Sequence, residues 1–350
     1  MKAYRKAYSF DDMLLVPKYS DMLPSQADVS TQLTKKIKLS LPILTAAMDT
    51  VTESKMAIAI AEEGGLGVIH KNLSAEEQAK HVSAVKMRKL LAGAAVGVND
   101  DKRVEALLNA KCDLIVVDSA HGDSKNVLEA IKRAKGMGAQ VCGGNVVTAE
   151  GARALVKAGA DCVKIGVGPG SICTTRIVTG VGFPQLSAIF DTVECGVPVV
   201  SDGGIKYSGD FTKALAAGAS AIMAGGLFAG TDEAPGEILD IEGKKYKAYR
   251  GMGSITAMKK GSSSRYNQED LAHGKLIAQG VEGIVEYKGS VKRILMQMAG
   301  GLRSGMGFVG ARNLKELQAK AEFVEITSAG MKESHPHSLK GFKKEENYKG

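Results

Sequence analysis

From residue 42 onward, short apolar runs alternate with longer amphipathic stretches in units of roughly 25 residues. The runs at 43–48, 65–69, 93–98, 113–117, 140–144, 163–167, 197–200 and 221–224 read as strands. Between them, 53–63, 75–85, 102–110, 124–135, 149–158, 184–194 and 209–217 carry apolar residues at three-to-four spacing and predict helices. Ser74 with Glu77 three residues on, and Thr148 ahead of Ala149 and Glu150, are helix-start signals. Gly159 and Gly218 suit left-handed helix ends.

Eight such alternations predict an α/β fold, a (β/α)8 barrel. The rival is an open doubly wound sheet, and the chain lacks the Gly-x-Gly-x-x-Gly turn that such a sheet would place after its first strand. A barrel also accounts for Asp49, His70, Asn99, Asp118, Asn145, Gly168, Asp202 and Gly225. Each falls at the C-terminal end of an expected strand, where barrel active sites are built. Any one of them could simply cap the next helix; eight together mark a functional face.

The remaining segments fit around that barrel, and residues 1–350 read as one domain. Residues 1–41 have little periodicity and are expected as an arm across a barrel end. Residues 237–250 alternate polar and apolar like a hairpin. The stretch 251–287 is rich in Gly, Ser and Lys and too long for a simple connection, which predicts a lid or flap. Final helices are expected at 291–298 and 314–320. From 331 the chain is polar, and mobile unless a partner orders it.

Composition narrows the setting. The net charge is +8, but the basic residues are scattered. The one dense run, KGFKK at 340–344, is mixed with acids downstream and reads as a solvated tail and not as a nucleic-acid surface. No run approaches the ~20 apolar residues needed to span a bilayer, and the basic N-terminus leads into no apolar segment. With five cysteines, no Cys-x-x-Cys and no zinc-type pairing, the expectation is a reducing, cytoplasmic setting. Cys112, Cys142, Cys162 and Cys195 lie among apolar or small residues and are expected as buried thiols. Cys173 differs: it sits in GVGPGSICTTR at 166–176, a glycine-rich loop directly after the apolar run CVKI at 162–165.

Two further constellations point to a nucleotide. SDGG at 201–204 and AGG at 224–226 place paired glycines at the ends of strands seven and eight, where barrels often bind phosphate. Ser171 could add a hydroxyl, and Asp202 could accept both hydroxyls of a ribose, so a nucleoside monophosphate fits. DSAHG at 118–122 supplies a second carboxylate, better read as a second ribose contact than as a metal site, since further ligands at close spacing are lacking.

Taken in order, MDTVTE (48–53), GLGVIHKN (65–72), DSAHG (118–122), GGN (143–145), the 166–176 loop, SDGGI (201–205), YRGMGS (249–254), GSSSRY (261–266) and GGLRS (300–304) resemble the IMP dehydrogenase/GMP reductase family, and the dehydrogenase branch in particular. The resemblance covers nearly the whole chain. It implies oxidation of IMP to XMP with NAD, with Cys173 as nucleophile and Arg265, Tyr266 and Thr175 in the hydrolytic step. It implies that Asp202 holds the IMP ribose, that Ser171, Gly204, Gly225, Gly226 and Tyr249 surround the phosphate, and that Met252, Gly253 and Gln279 border the base. Asp118, Ser119, Asn145 and Gly166 would face the nicotinamide riboside. A monovalent cation, usually potassium, would take carbonyls of Gly168, Gly170 and Cys173, with Glu333, Ser334 and His335 coming from an adjacent subunit of a homotetramer. Arginine is a poor base by its ordinary pKa, so the Arg265 role rests on the resemblance alone.

Three departures stand out. Most members insert paired CBS modules between the second and third units, where this chain has only KMRKLL at 86–91; the modules are either naturally absent or deleted by engineering. Gly226 replaces the family's usual Ser. Gln279 replaces a frequent Glu, which removes a Thr175–Glu relay and leaves more of water activation to Arg265. Gln279 also weighs against GMP reductase, which would want Glu there, and an intact Cys173 weighs against a catalytically silent nucleotide-binding or nucleic-acid-binding barrel.

Overall fold

A computed structural model describes residues 4–268, 270–340 and 347–348; the basic run at 340–344 therefore lies outside the described residues after Lys340. The eight expected strands form a closed parallel barrel: β1 (Ile43–Thr45), β2 (Leu66–Ile69), β3 (Ala92–Val96), β4 (Leu114–Asp118), β5 (Val141–Val146), β6 (Cys162–Ile165), β7 (Val199–Asp202) and β8 (Ala221–Ala224). Closure is made by β8 against β1, with Ile222 opposite Ile43 and Ala224 opposite Thr45. The helices that follow are α1 (Ser54–Glu62), α2 (Ala75–Met87), α3 (Asp101–Asn109), α4 (Lys125–Gly136), α5 (Ala149–Ala158), α6 (Gln185–Thr192), α7 (Ser208–Ala216) and α8 (Val291–Val309).

Every strand is buried along nearly its whole length because each has the lumen on one side and a helix on the other. Leu44, Leu66, Val116, Cys142, Cys162 and Val200 fill the lumen. Leu33, Ile37 and Leu39 join that cluster from the hairpin of Thr31–Gln32 and Lys38–Leu39, so part of the N-terminal arm plugs one end of the barrel. Met13–Leu15 pairs antiparallel with Phe323–Glu325, tying the arm to a distant part of the chain. These pairings explain why 1–41 showed no internal period: its strands are only two or three residues long, and that of Met13–Leu15 has a remote partner. The helix starts were legible, since Ser74 accepts from the Glu77 N–H and Thr148 from the Gly151 N–H.

Two segments carry more regular structure than their sequence showed. The helix expected at 291–298 runs on to Val309 through four glycines, a composition that argues against a helix in isolation. Packing overrides propensity here. A Cβ at Gly301 would lie 2.2 Å from Ser208 Oγ, and one at Gly305 would lie 2.6 Å from Thr212 Cγ2, so the glycines let α8 lie directly on α7. The 251–287 stretch, expected as a lid or flap, also contains a strand: Glu282–Glu286 pairs with Lys244–Arg250, and with Leu239–Ile241 they make a three-stranded antiparallel sheet. That strand is exposed except at Val285, which packs partly buried against the core, and so has no apolar alternation to read.

Phe211 on α7 is fully buried in the core shared with α8. Phe211→Ala is expected to lower stability by about 3–5 kcal/mol, read as a shift in the urea unfolding midpoint.

Candidate functional site

The Cys173 loop follows β6 and is held by its own backbone. Gly168 has φ +84°, and a Cβ there would lie 2.5 Å from Arg176 Cγ, so glycine is required on both counts. The Arg176 guanidinium fills that space, donating from Nε to the Val167 carbonyl at 3.2 Å and from Nη2 to the Phe183 carbonyl at 2.5 Å. On the other side, the Thr174 N–H donates to the Gln279 carbonyl at 3.0 Å and the Val281 N–H to the Ile172 carbonyl at 3.0 Å. Cys173 is thus fixed between two chain segments. Its thiol donates to Thr175 Oγ1 at 3.2 Å, and Thr175 opens a short helix, Thr175–Thr179. Cys173 is partly exposed, whereas the other four cysteines are buried. Burial pushes the Cys112 thiol up to about 12, as suits an inert structural cysteine.

A cavity of about 850 Å³ opens over this thiol at the C-terminal end of the strands. Its wall includes Cys173, Arg265, Tyr266, Ser171, Asp202, Gly204, Gly225, Gly226, Tyr249, Met252, Gly253, Gln279, Asp118, Asn145, Gly166, Gly168 and Gly170. Five of the eight strand-end residues named from the sequence therefore face it. Burial pushes the Tyr249 phenol up to about 12, against the opposing effect of a hydrogen bond with Ser171. Tyr249 is thus a neutral donor beside Gly225 and Gly226.

The centre of the electrostatics is a residue that sequence reasoning missed. Lys164 is 1% exposed and sits in the middle of β6. Its ammonium lies 2.6 Å from Asp202 Oδ2 and 2.9 Å from Asp118 Oδ1, and it also donates to Asn145 Oδ1. Asn145 in turn donates to Asp202 Oδ2 at 3.0 Å and to the Gly166 carbonyl at 2.7 Å. One buried cation thereby holds both carboxylates of the cavity. The signal was present: a lysine inside an apolar run that forms an interior strand needs a buried anionic partner.

The segment around Arg265 is docked onto this centre. Arg265 Nη1 is ion-paired with Asp118 Oδ2, and the Ala120 N–H donates to the Arg265 carbonyl at 2.9 Å. Tyr266 lies against Gly253, where a Cβ would meet its ring at 2.8 Å. Burial raises the Tyr266 phenol above its ordinary value, so it is a phenol at neutral pH. The base of the segment is anchored separately. Arg250 pairs with Asp49 through Nε at 2.9 Å and Nη2 at 2.5 Å, and Asn72 Nδ2 donates to Asp49 at 2.9 Å.

Several expected residues lie elsewhere. Thr175 is buried behind the thiol and is not on the cavity wall. Ser119 is 2% exposed, and its hydroxyl is used inside its own turn, donating to the His121 carbonyl at 3.2 Å. His70 meets Glu53 at 3.3 Å, and Asn99 is exposed. Glu333 ends a short helix, Ser328–Glu333, and His335 Nδ1 meets the Tyr348 hydroxyl at 2.7 Å. Among the described residues, no hydrogen bond or ion pair joins Glu333, Ser334 or His335 to the Cys173 loop within one chain. Nor do the described residues contain a cluster of three His, Cys, Asp or Glu side chains able to hold a metal ion. What the loop offers is neutral carbonyl oxygen, a donor set suited to a hard monovalent cation and not to a thiolate- or imidazole-seeking metal. No helix among the described residues is long and apolar enough to cross a membrane.

A closed (β/α)8 barrel whose C-terminal face carries a half-buried thiol beside two lysine-held carboxylates falls in the class of barrel enzymes. Residues 7–337 match the profile of the IMP dehydrogenase / GMP reductase domain, and the chain belongs to that family. It is 45% identical to the inosine-5'-monophosphate dehydrogenase of Borreliella burgdorferi, over 97% of this chain and 98% of that protein. It is 43% identical to the Cryptosporidium parvum enzyme of the same name, over 98% of each. With the Escherichia coli K12 enzyme it is 40% identical, over 100% of this chain and 99% of that protein. The last alignment spans 484 positions, so that relative carries a long stretch with no counterpart among these 350 residues.

Burial lifts the Asp49 carboxyl, but hydrogen bonds from Arg250 and Asn72 and the Arg250 charge outweigh it, leaving the carboxyl below its ordinary value. A depressed folded-state value stabilises above the ordinary carboxylate range and is lost as pH falls through the depressed value. Arg250→Met removes that protection and leaves Asp49 buried without its cation. The expected result is a loss of about 3–5 kcal/mol at neutral pH and an acid-unfolding midpoint moved to higher pH, both measured by circular dichroism.

Proposed function

We propose that this chain is an IMP dehydrogenase, oxidising IMP to XMP through a covalent bond to Cys173. The observation that carries the reading is the placement of the Cys173 thiol and the Arg265–Tyr266 pair on one cavity, with Arg265 seated on Asp118. The identity of 40–45% to proteins of that name along the whole chain supports it.

The chemistry explains the residues. C2 of a purine is an aromatic carbon that gives up hydride only once it has become tetrahedral. Addition of the Cys173 sulfur achieves this. Asp202 accepts the ribose hydroxyls, while Ser171, Tyr249 and the backbone at Gly204, Gly225 and Gly226 take the phosphate. Gly226 brings no hydroxyl, so backbone groups and the Tyr249 phenol carry that load. Met252, Gly253 and Gln279 border the base. NAD, when bound, accepts the hydride; Asp118, Asn145 and Gly166 would hold its nicotinamide riboside, with Lys164 keeping Asp118 and Asp202 in place.

Arg265 occupies the same Asp118 carboxylate that the cofactor ribose would use. Flap and cofactor must therefore alternate, and the docked arrangement corresponds to the hydrolytic half-reaction. In that half, Arg265 with Tyr266 activates water against the purine–Cys173 bond, and Thr175 supports the sulfur as it leaves. Potassium would sit on carbonyls of Gly168, Gly170 and Cys173. A homotetramer, with Glu333, Ser334 and His335 of a neighbouring subunit completing that shell, is part of the same reading, as is direct joining of the second and third barrel units through 86–91 without regulatory modules.

GMP reductase is the alternative within the family. IMP with NAD and GMP with NADPH, supplied separately, should give turnover with the first pair; turnover with the second pair alone would reverse the assignment. Cys173→Ala is expected to abolish NADH formation. Arg265→Ala should keep the first-turnover burst of NADH and lower steady-state turnover by ~10²–10³-fold, the scale of a lost general base. Equal loss of the burst in both variants would contradict separate roles.

A further inference from the structure

Lys71 is not among the residues assigned above, yet it is a buried ammonium aimed at the flap. It follows β2 by two positions and is 8% exposed. Its Nζ donates to the Gly261 carbonyl at 3.1 Å and to Ser264 Oγ at 2.5 Å. Ser264 immediately precedes Arg265. The end of β3 crowds the same place: a Cβ at Gly97 would lie 3.1 Å from Asp100 Oδ2, 3.3 Å from Lys71 Nζ and 3.4 Å from Ser264 Oγ. Asp100 Oδ2 itself accepts from the Gly97 N–H at 2.6 Å and lies 3.4 Å from Arg103 Nε.

We propose that Lys71 is the latch of the flap, a positioning residue that sets how much of the time Arg265 sits on Asp118. This rests on the flap alternating with the cofactor, as proposed above. Arg265 makes the contact that competes with the cofactor, but Lys71 grips the flap from the barrel side at a point the cofactor ribose does not use. Among the described residues, the Gly261 carbonyl and Ser264 Oγ that accept charge-assisted hydrogen bonds from it belong to the segment that must move. When the flap leaves, these bonds are lost together, so their free energy enters the closed-to-open equilibrium directly. A hydrogen bond to a charged group changes such an equilibrium by roughly tenfold or more. The side chain is also placed to read the flap without touching the thiol: it is absent from the wall of the cavity.

Two substitutions approach the latch from opposite sides. Lys71→Met removes the ammonium and keeps the apolar stem, and Ser264→Ala removes one acceptor from the flap. Each is to be examined by the first-turnover burst of NADH with IMP and NAD, by steady-state turnover, and by inhibition with an NAD analogue whose ring cannot accept hydride. The proposal predicts an unchanged burst rate, steady-state turnover lowered about tenfold for Lys71→Met and less for Ser264→Ala, and an analogue that binds about tenfold tighter because the flap no longer competes. Tighter inhibitor binding is an outcome that general loosening of the site would not produce. The double variant should be no worse than Lys71→Met alone, and Lys71→Arg should recover part of the loss.

Unchanged turnover and unchanged inhibition in both variants would overturn the latch. So would loss of the burst in Lys71→Met, which would place Lys71 in the hydride half. If Lys71→Met fails to fold, Ser264→Ala decides by the same readouts. Absence of any NADH from the unsubstituted protein with IMP and NAD would instead overturn the proposed function, so the two failures are distinguishable.

Discussion

A single ammonium buried in β6 organises the functional face. Lys164 cannot be solvated at 1% exposure, so it must be matched by anions, and the ends of the two strands that bring them, β4 and β7, supply Asp118 and Asp202. The constraint works in both directions. Two carboxylates at the top of one barrel would repel each other without a cation between them. Asn145 from β5 completes the set and passes the alignment on to the Gly166 carbonyl, where the cysteine loop begins. The charges at the site and the path of the loop thus have one origin.

Around that centre the chain arranges a fixed part and a part suited to move. The Cys173 loop is fixed, tied by the Arg176 guanidinium on one side and by backbone hydrogen bonds to 279–281 on the other. The 261–266 segment is held mainly through side chains instead, Arg265 to Asp118, Lys71 to Ser264 and the Gly261 carbonyl, and Ser262 to the Met252 carbonyl, with a backbone link from Ala120 to Arg265. Side-chain attachments of this kind can be exchanged for solvent or ligand more readily than a sheet-like backbone pairing. Such a division suits a cycle in which the nucleophile stays still and the water-activating group comes and goes.

The barrel was legible because its strands are covered on both sides and its helices on one, so period and apolar content both reported the fold. Asp118 and Asp202 were legible because they end strands. Lys164 was not, although it was in plain view, because a lysine flanked by Val163 and Ile165 blends into an apolar run unless one asks what would neutralise it. Glu282–Glu286 escaped because an exposed strand has no alternation, and the far half of α8 because its glycines serve contact with α7 and not helix propensity. Arg265 and Tyr266 were reached only through resemblance; no periodicity marks a catalytic pair on a glycine- and serine-rich segment. Ser119 was named for its place beside Asp118, and what the sequence did not show is that its hydroxyl bonds within its own turn.

The central claim is that the Cys173 sulfur carries the purine during turnover. It is tested most directly by quenching the protein in acid while it consumes IMP and NAD, then measuring the masses of its peptides. The account predicts a purine nucleotide attached to the peptide that contains Cys173, present only when both IMP and NAD are supplied and absent from Cys173→Ala. NADH formation with no adduct at that peptide, or with an adduct at another cysteine, would contradict it.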